Sequence, residues 1–204
     1  MILNKIKEYF YLLKVHHWIK NLIIFLPILV GNSFLSSNID RYIVYFFILS
    51  FLSSIVYLFN NISDYEEDTK NKVLRYSLNL ERKKNYYIFG IIIFFILINI
   101  TFFINQTIFL ICIFYFSLSQ LYNFYLKRIK YLDILILSLF HILRIIYGSV
   151  AFDAELSLYF ILFCLAIFLM IGSNKRLVEI DSLYKNRPYL EKDKRKIQIF
   201  QIFF

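Results

Sequence analysis

The sequence predicts an all-α protein, a polytopic transmembrane helical bundle with about six spans and the start of a seventh. Two observations predict this class. Of the 204 residues, 60% are hydrophobic and 21% are aromatic, whereas soluble domains are roughly half apolar. The apolar residues also fall in long uncharged runs, and several runs approach or exceed the ~20 residues that a helix needs to cross a bilayer. These runs do not alternate with polar residues, which argues against a transmembrane barrel.

We predict a single integral membrane domain over residues 1–204. It begins with a basic, amphipathic segment at the membrane interface, residues 1–20, where Trp18 suits the interfacial position. The spans are expected near residues 21–39, 42–61, 86–104, 107–126, 132–152 and 156–174. The third and fourth share one uncharged run, which we expect to turn near Asn105. A charged segment follows at 175–196, and the last residues, "IQIFQIFF", become apolar again like the start of a further helix.

The net charge of +9 could indicate a nucleic-acid partner, but its distribution favours a topological reason. With six spans and a cytosolic N-terminus, 21 of the 23 Lys and Arg residues fall in the cytosolic segments, which are 1–20, 61–85, 127–131 and 174–197. This agreement with the positive-inside rule predicts a multi-pass protein of a bacterial inner membrane. We expect the lipid bilayer, and no nucleic acid, as its surroundings, with the N-terminus and the site on the cytosolic side.

The stretch "YLFNNISDYEEDTKNK", residues 57–72, places four carboxylates directly after an apolar run. Asp64 and Asp68 are four residues apart, so a helix carries both on one face, with Asn60 and Asn61 about one turn earlier. Carboxylate and amide oxygens are hard ligands, and Mg²⁺ accepts such a partial set and completes its shell with water and substrate phosphates. The residues leave two interpretations open. Either these four side chains bind Mg²⁺, or the acids are solvated at a helix end.

Basic and polar residues stand at three further helix ends, which we expect on the same membrane face. They are Lys20 and Asn21 before the first span, Tyr122, Lys127 and Asp133 before the fifth, and Lys175 and Arg176 after the sixth. A pocket with metal-binding carboxylates and phosphate-binding cations has this composition. The positive-inside rule also explains bases at these ends, so the residues alone leave both interpretations open.

Arg144 lies inside the fifth predicted span, about 16 Å along the helix from Asp133. A charge at that depth costs a few kcal/mol and normally faces the bundle interior or a cavity. Arg144 and Asp133 occupy nearly the same angular position, so we expect one helix face to carry both and to line a polar cavity. We expect His141, three residues earlier, to be a hydrogen-bonded partner rather than a ligand.

Four ordered motifs, spread over nearly the whole chain, resemble the UbiA-type intramembrane prenyltransferases. "NNISDYEED" is similar to the signature N-D-x-x-D-x-x-x-D, with Asn61 in place of the first Asp. "LLKVHHWIKNLIIFLPIL" resembles the opening L-R-P-x-Q-W-x-K-N of the decaprenyl-phosphate phosphoribosyltransferases. "YNFYLKRIKYLDILILSLFHILRIIYGSVA" and "FLMIGSNKRLVEI" resemble that group's segments Y-S-x-x-L-K…L-D…R…G and F-L-x-x-x-K-R-x-x-E.

The resemblance implies a UbiA-like bundle that holds Mg²⁺ and a diphosphate at its cytosolic side. It implies Mg²⁺-dependent transfer of 5-phosphoribose from phosphoribosyl diphosphate to a polyprenyl phosphate. In this interpretation Asp64 and Asp68 are catalytic through the metal, and Asp133 is catalytic by stabilising positive charge on the ribosyl group. The expected substrate-binding residues are Lys20, Asn21, Tyr122, Lys127, Arg144, Lys175 and Arg176.

Two other functions stay open. One is UbiA-type transfer of an isoprenoid chain from a polyprenyl diphosphate to an aromatic acceptor, although the W-x-K-N and K-R-x-x-E motifs favour phosphoribosyl transfer. The other is a truncated, non-catalytic lipid-binding membrane protein, which the short chain and Asn61 favour. The families resembled have more helices than we predict, so we expect C-terminal truncation, or helices supplied by a second chain or a homo-oligomer.

Overall fold

The computed structural model describes residues 13–31, 39–70, 83–129 and 132–184. Within these ranges it describes residues 64–70, 83, 128 and 178–184 by backbone alone. Four predictions about the course of the chain therefore lie wholly or partly outside the described residues. They concern the interfacial segment 1–20, the first span 21–39, the charged segment 175–196 and the start of a seventh helix.

Every regular element among the described residues is helical, as the predicted all-α class requires. A 3-10 helix, Val15–Phe25, continues directly into α1, Leu26–Val30. The longer helices are α2 (Ile39–Lys70), α3 (Lys83–Ile104), α4 (Gln106–Phe124), α5 (Leu132–Phe152) and α6 (Leu158–Tyr184). A short 3-10 turn, Leu126–Arg128, joins α4 to α5.

Five of the described helices are long and apolar enough to cross a membrane. Their apolar parts are Ile39–Ser63, Lys84–Ile104, Gln106–Phe124, Leu132–Phe152 and Leu158–Leu177, at the positions of the last five predicted spans. The turn between α3 and α4 lies at Asn105, whose side chain accepts hydrogen bonds from the backbone N–H groups of Thr107 and Ile108 at 2.8 and 3.1 Å. This N-cap satisfies two donors that a helix start leaves open. The protein is a multi-pass helical membrane bundle.

The first predicted span, 21–39, is described only in part, because residues 32–38 lie outside the described residues. Its described part belongs to the apolar helix Val15–Val30, which is too short to count among the candidate spans, and Ile39 already begins α2. Most of this helix is 3-10, although 3-10 runs beyond three or four residues are uncommon. Tertiary contacts, described below, hold it in place, and hydropathy alone does not report them. The number of six spans therefore stays a prediction.

Helices α2 and α5 form the centre of the bundle. In the apolar part of α2, 61% of an 18-residue stretch is buried, and in α5 the share is 56%, against 17% in α3 and α6. The 3-10 helix packs against both central helices. Its approach to α5 depends on Gly148, because a Cβ there would lie 2.0 Å from the carbonyl oxygen of Ile24. The Tyr147 hydroxyl also donates to the Tyr45 carbonyl at 3.0 Å, which joins α5 to α2.

Two ion pairs show which helix ends lie together at each end of the bundle. Arg41 at the start of α2 pairs with Asp153, just after α5, at 2.7 Å. Asp133 at the start of α5 pairs with Arg176 in the last part of α6. We call the end with Asp133 and Arg176 the site end, and the end with Arg41 and Asp153 the opposite end. Because α2 starts at the opposite end, its "NNISDYEED" residues lie toward the site end.

Candidate functional site

Asp133 is the meeting point of three helices at the site end. Its Oδ1 atom accepts a hydrogen bond from the Tyr122 hydroxyl on α4 at 2.5 Å. Its Oδ2 atom accepts from both Nε and Nη2 of Arg176 on α6. The carboxylate is 6% exposed and stands in the first turn of α5, where the helix dipole favours a negative charge. Three predicted site residues are thus in direct contact.

Arg144 is buried deeper on the same helix, with 5% of its surface exposed, as expected for a charge inside a span. Its Nη1 atom lies 3.0 Å from Nδ1 of His141, and its Nη2 atom donates to the Tyr115 hydroxyl at 2.9 Å. Tyr57 on α2 also interacts with the guanidinium. The buried Nε atom has no hydrogen-bond partner among the described residues. His141 is therefore a hydrogen-bonding neighbour of Arg144, as predicted.

Lys20 lies within reach of two other positive charges, those of Lys175 and Arg144. Desolvation of the Lys20 ammonium, followed by the charges of Lys175 and Arg144, lowers the pKa of Lys20. The three cations come from the 3-10 helix, α5 and α6, so only the folded bundle gathers them. Like charges are normally kept apart in a bundle, because their repulsion grows where water is excluded. The arrangement is suited to an anion.

A row of serines on α2 fixes the 3-10 helix that carries Lys20. The Asn21 side chain donates to the Ser50 hydroxyl at 3.1 Å and accepts from the Ser53 hydroxyl at 3.4 Å. Trp18 Nε1 donates to the Ser54 hydroxyl at 2.8 Å. Asn21 is 1% exposed, so its amide serves helix packing. The sequence carried a signal for this contact, since small polar residues at i, i+3 and i+4 within an apolar helix mark helix–helix interfaces.

His17 lies beside the same cations, at the start of the 3-10 helix. Burial, followed by the positive charges of Lys20, His16, Lys14 and Lys175, lowers the pKa of His17 to about 4. Its ring packs on Tyr57 with the centroids 5.2 Å apart. The Lys14 ammonium lies 5.1 Å from the centroid of that same Tyr57 ring. At neutral pH His17 therefore adds no charge to the cation cluster.

The predicted metal-binding residues lie on the last part of α2, and the structure describes only part of this set. The side chains of Asp64 and Asp68 lie outside the described residues, and among the described ones no group of three His, Cys, Asp or Glu residues comes together. The buried Oδ1 atom of Asn60 has no hydrogen-bond partner in the described part of the chain. A buried amide oxygen without a described partner is the kind of hard ligand that a cation such as Mg²⁺ accepts.

Residues 9–174 match the UbiA prenyltransferase family. The chain belongs to this family. It is also similar to the uncharacterized protein y4nM of Sinorhizobium fredii (strain NBRC 101917 / NGR234), with 24% identity over 193 residues. That alignment covers 90% of this chain and 36% of the relative, so the chain spans about a third of the length of the curated relative it matches.

The chain is thus a helical membrane protein of a prenyltransferase family. Of the predicted site residues, Tyr122, Asp133 and Arg176 meet directly, and Lys20, Arg144 and Lys175 form one group of charges. Lys127 lies on the short turn between α4 and α5. Sequence reasoning missed Tyr57 and Tyr115, because tyrosines in an aromatic-rich chain carry no distinguishing pattern.

Proposed function

We propose that this UbiA-family protein catalyses Mg²⁺-dependent transfer of 5-phosphoribose from phosphoribosyl diphosphate to a polyprenyl phosphate. The observation that carries the proposal is the gathering of Lys20, Arg144 and Lys175 from three helices. Both substrates carry several phosphate charges, and charge-assisted hydrogen bonds from Lys and Arg to phosphate are strong. The four motifs that resemble decaprenyl-phosphate phosphoribosyltransferases support the same reaction.

Each group of residues takes one part of the reaction. Mg²⁺, held by Asn60, Asn61, Asp64 and Asp68, would supply Lewis-acid neutralisation of the leaving diphosphate. The phosphate of the lipid is already an anionic nucleophile, so the chain needs no strong general base. Asp133, held by Tyr122 and Arg176, would favour the positive charge that develops on the ribosyl group.

Asn21 and Lys127 have smaller roles in this proposal. Asn21 holds the 3-10 helix on α2 through Ser50 and Ser53 and so positions Lys20, its neighbour in the chain. Lys127, on the turn after α4, adds positive charge at the site end, where phosphorylated substrates arrive. We place that end on the cytosolic side of a bacterial inner membrane, because its connecting segments carry nearly all the Lys and Arg residues.

Prenyl transfer to an aromatic acceptor is the second candidate, because the family matched by residues 9–174 is a prenyltransferase family. Its donor, a polyprenyl diphosphate, would use the same metal-binding side chains. The two candidates differ in the group that moves. One transfers a phosphorylated sugar onto a lipid, and the other transfers a lipid chain onto an aromatic ring.

The test is a transfer assay with the purified full chain in lipid nanodiscs. Labelled phosphoribosyl diphosphate and a polyprenyl phosphate are incubated with Mg²⁺, and the label is followed into the organic phase. We expect label transfer with the wild type and a loss of at least 100-fold in Asp64→Asn/Asp68→Asn, since a metal's charge stabilisation is worth several kcal/mol. The matched control, Glu66→Gln/Glu67→Gln, lies on the same stretch outside the proposed ligand set and should keep its activity. No label transfer by a folded wild type would refute the proposal.

A further inference from the structure

Arg144 carries a buried charge that no described carboxylate neutralises. Its described hydrogen-bond partners, His141 and Tyr115, are neutral side chains. The Nε atom, also buried, has no partner among the described residues. An unneutralised charge inside a membrane bundle is costly, and such residues normally pair or serve a functional pathway. Arg144 thus lacks a counter-charge in the part of the chain that the structure describes.

The neighbours of Arg144 increase this imbalance. The charges of Lys175 and Arg144 both act on Lys20, and the described carboxylates form no ion pair with Lys20 or Arg144. Arg176 differs from them, because Asp133 accepts from two of its nitrogen atoms. The basic residues at the site end therefore fall into two groups. Arg176 is neutralised within the fold, whereas Lys20 and Arg144 have no anionic partner among the described residues.

We propose that Lys20, Arg144 and Lys175, with the hydroxyl groups of Tyr57 and Tyr115, form a phosphate-monoester site that binds its ligand without a metal. This inference rests on the proposed function and deepens it, since both proposed substrates contain a phosphate monoester. One is the phosphate of the lipid, and the other is the 5-phosphate of the sugar. A guanidinium with an open Nε–H and two tyrosine hydroxyls supplies the directed donors that phosphate oxygens need.

The position of Arg144 separates this site from the proposed metal site. Arg144 interacts with Tyr57, and the proposed metal-binding carboxylates Asp64 and Asp68 follow Tyr57 on α2 by seven and eleven residues, about 10 and 16 Å along the helix axis. A diphosphate at the end of α2 and a monoester beside Arg144 would therefore occupy adjacent but separate positions. The inference predicts that chelating the metal abolishes transfer while monoester binding persists.

Binding is measured on the purified full chain in detergent with EDTA, by thermal shift and by native mass spectrometry. The probes are farnesyl phosphate and ribose 5-phosphate, and farnesol is the control without phosphate. Binding of farnesyl phosphate alone supports the lipid as the source of the monoester. Binding of ribose 5-phosphate alone supports the sugar, and binding of neither probe by the folded protein overturns the site.

Variants test whether the named residues form the site. Arg144→Gln should weaken the affinity for whichever probe binds by 10-fold or more, because hydrogen bonds to charged groups are stronger than those between neutral groups. Lys20→Gln, at an exposed position, should weaken probe binding less. This variant provides the test if Arg144→Gln does not fold. Arg41→Gln, an arginine change at the opposite end, should leave binding unchanged. Unchanged affinity in folded Arg144→Gln and in Lys20→Gln would overturn the proposal.

The result is independent of the transfer assay. Binding of a monoester in EDTA, with loss in Arg144→Gln, supports the site even if no phosphoribosyl transfer occurs, in which case only the proposed function fails. Conversely, if the wild type transfers phosphoribose while the folded Arg144→Gln and Lys20→Gln variants bind both probes as the wild type does, the result supports the proposed function and overturns the monoester site.

Discussion

The Asp133 carboxylate joins α4, α5 and α6 through Tyr122 and Arg176. The carboxylate side chain is 8% exposed and that of Arg176 33%, so water screens this pair weakly. The pair Arg41–Asp153 at the opposite end has a carboxylate that is 73% exposed. The two pairs share their chemistry and differ in burial, so they offer a matched comparison.

We predict that a double-mutant cycle on Asp133→Asn and Arg176→Gln gives a coupling free energy on the order of 0.5–3 kcal/mol. The same cycle on Arg41→Gln and Asp153→Asn should give no more than about 1 kcal/mol, as exposed pairs do. The measurement is the free energy of unfolding in detergent for each set of four proteins. Equal coupling in both cycles would show that Asp133 and Arg176 are not a buried pair.

His17 gives the protein a predicted response to acid. Its pKa is about 4 in the folded chain against 6.5 as the ordinary value, so the unfolded chain takes up the proton first as the pH falls. The stability contributed by neutral His17 is present above pH 6.5 and is lost between pH 6.5 and about 4. The wild type should lose more thermal stability over this window than His17→Gln does. Parallel losses in the two proteins would contradict the assigned pKa.

Single residues show clearly what the sequence could predict. Asp133, Arg144, Lys20 and Lys175 stood out because charges next to or inside apolar runs are rare. The contact between Asp133 and Arg176 was beyond prediction, since it depends on how α5 packs against α6. The sequence does not predict the partners of Arg144 for the same reason, although it does predict that this face of α5 is polar.

The packing of the 3-10 helix Val15–Phe25 is the feature at this scale that the sequence predicts least. Its residues are apolar enough to resemble a span, but local sequence does not report which elements hold the helix in place. Its position depends on contacts from other elements. They are the serines of α2 that hold Trp18 and Asn21, and the missing side chain of Gly148 on α5. The longer helices depend on length and hydropathy, which explains why their positions agreed with the prediction.

Gly148→Ala should displace the 3-10 helix from α5. The added Cβ would lie 2.0 Å from the backbone oxygen of Ile24, and backbone cannot move aside as a side chain does. We expect a loss of stability of about 1–3 kcal/mol or more, as for other overpacked positions, together with weaker substrate binding. Gly172→Ala is the control, because its Cβ would meet the Ile134 side chain at 3.1 Å. Thermal unfolding of the two variants gives the comparison, and equal losses would contradict the close crossing.

The whole molecule places its charged groups at the two ends of one bundle. The site end carries the cation group, the Asp133–Arg176 pair and the polar end of α2, and the opposite end carries the Arg41–Asp153 pair. The central helices α2 and α5 connect the ends, and the lipid-facing surfaces of α3 and α6 provide the apolar exterior. The uneven distribution of Lys and Arg along the sequence predicts that the two ends differ in charge, which is the polarity of the bundle.

The polarity predicts an orientation in the membrane. In a Cys112→Ser/Cys164→Ser background, Glu155→Cys reports on the opposite end and Lys84→Cys on the site end, and both positions are exposed. A membrane-impermeant maleimide added to spheroplasts should label Glu155→Cys at once, and Lys84→Cys only after permeabilisation. The reverse pattern would place the site end outside the cell and contradict the positive-inside assignment.

The central claim is that the site end transfers a phosphorylated sugar to a lipid phosphate. In the most direct test, one preparation of the full chain with Mg²⁺ is divided between two parallel reactions. One contains labelled phosphoribosyl diphosphate with a polyprenyl phosphate, and the other contains a labelled polyprenyl diphosphate with an aromatic acid. We predict a labelled lipid-linked phosphoribose in the first reaction and no prenylated aromatic product in the second. A prenylated aromatic product, with no label on the lipid phosphate, would contradict the account.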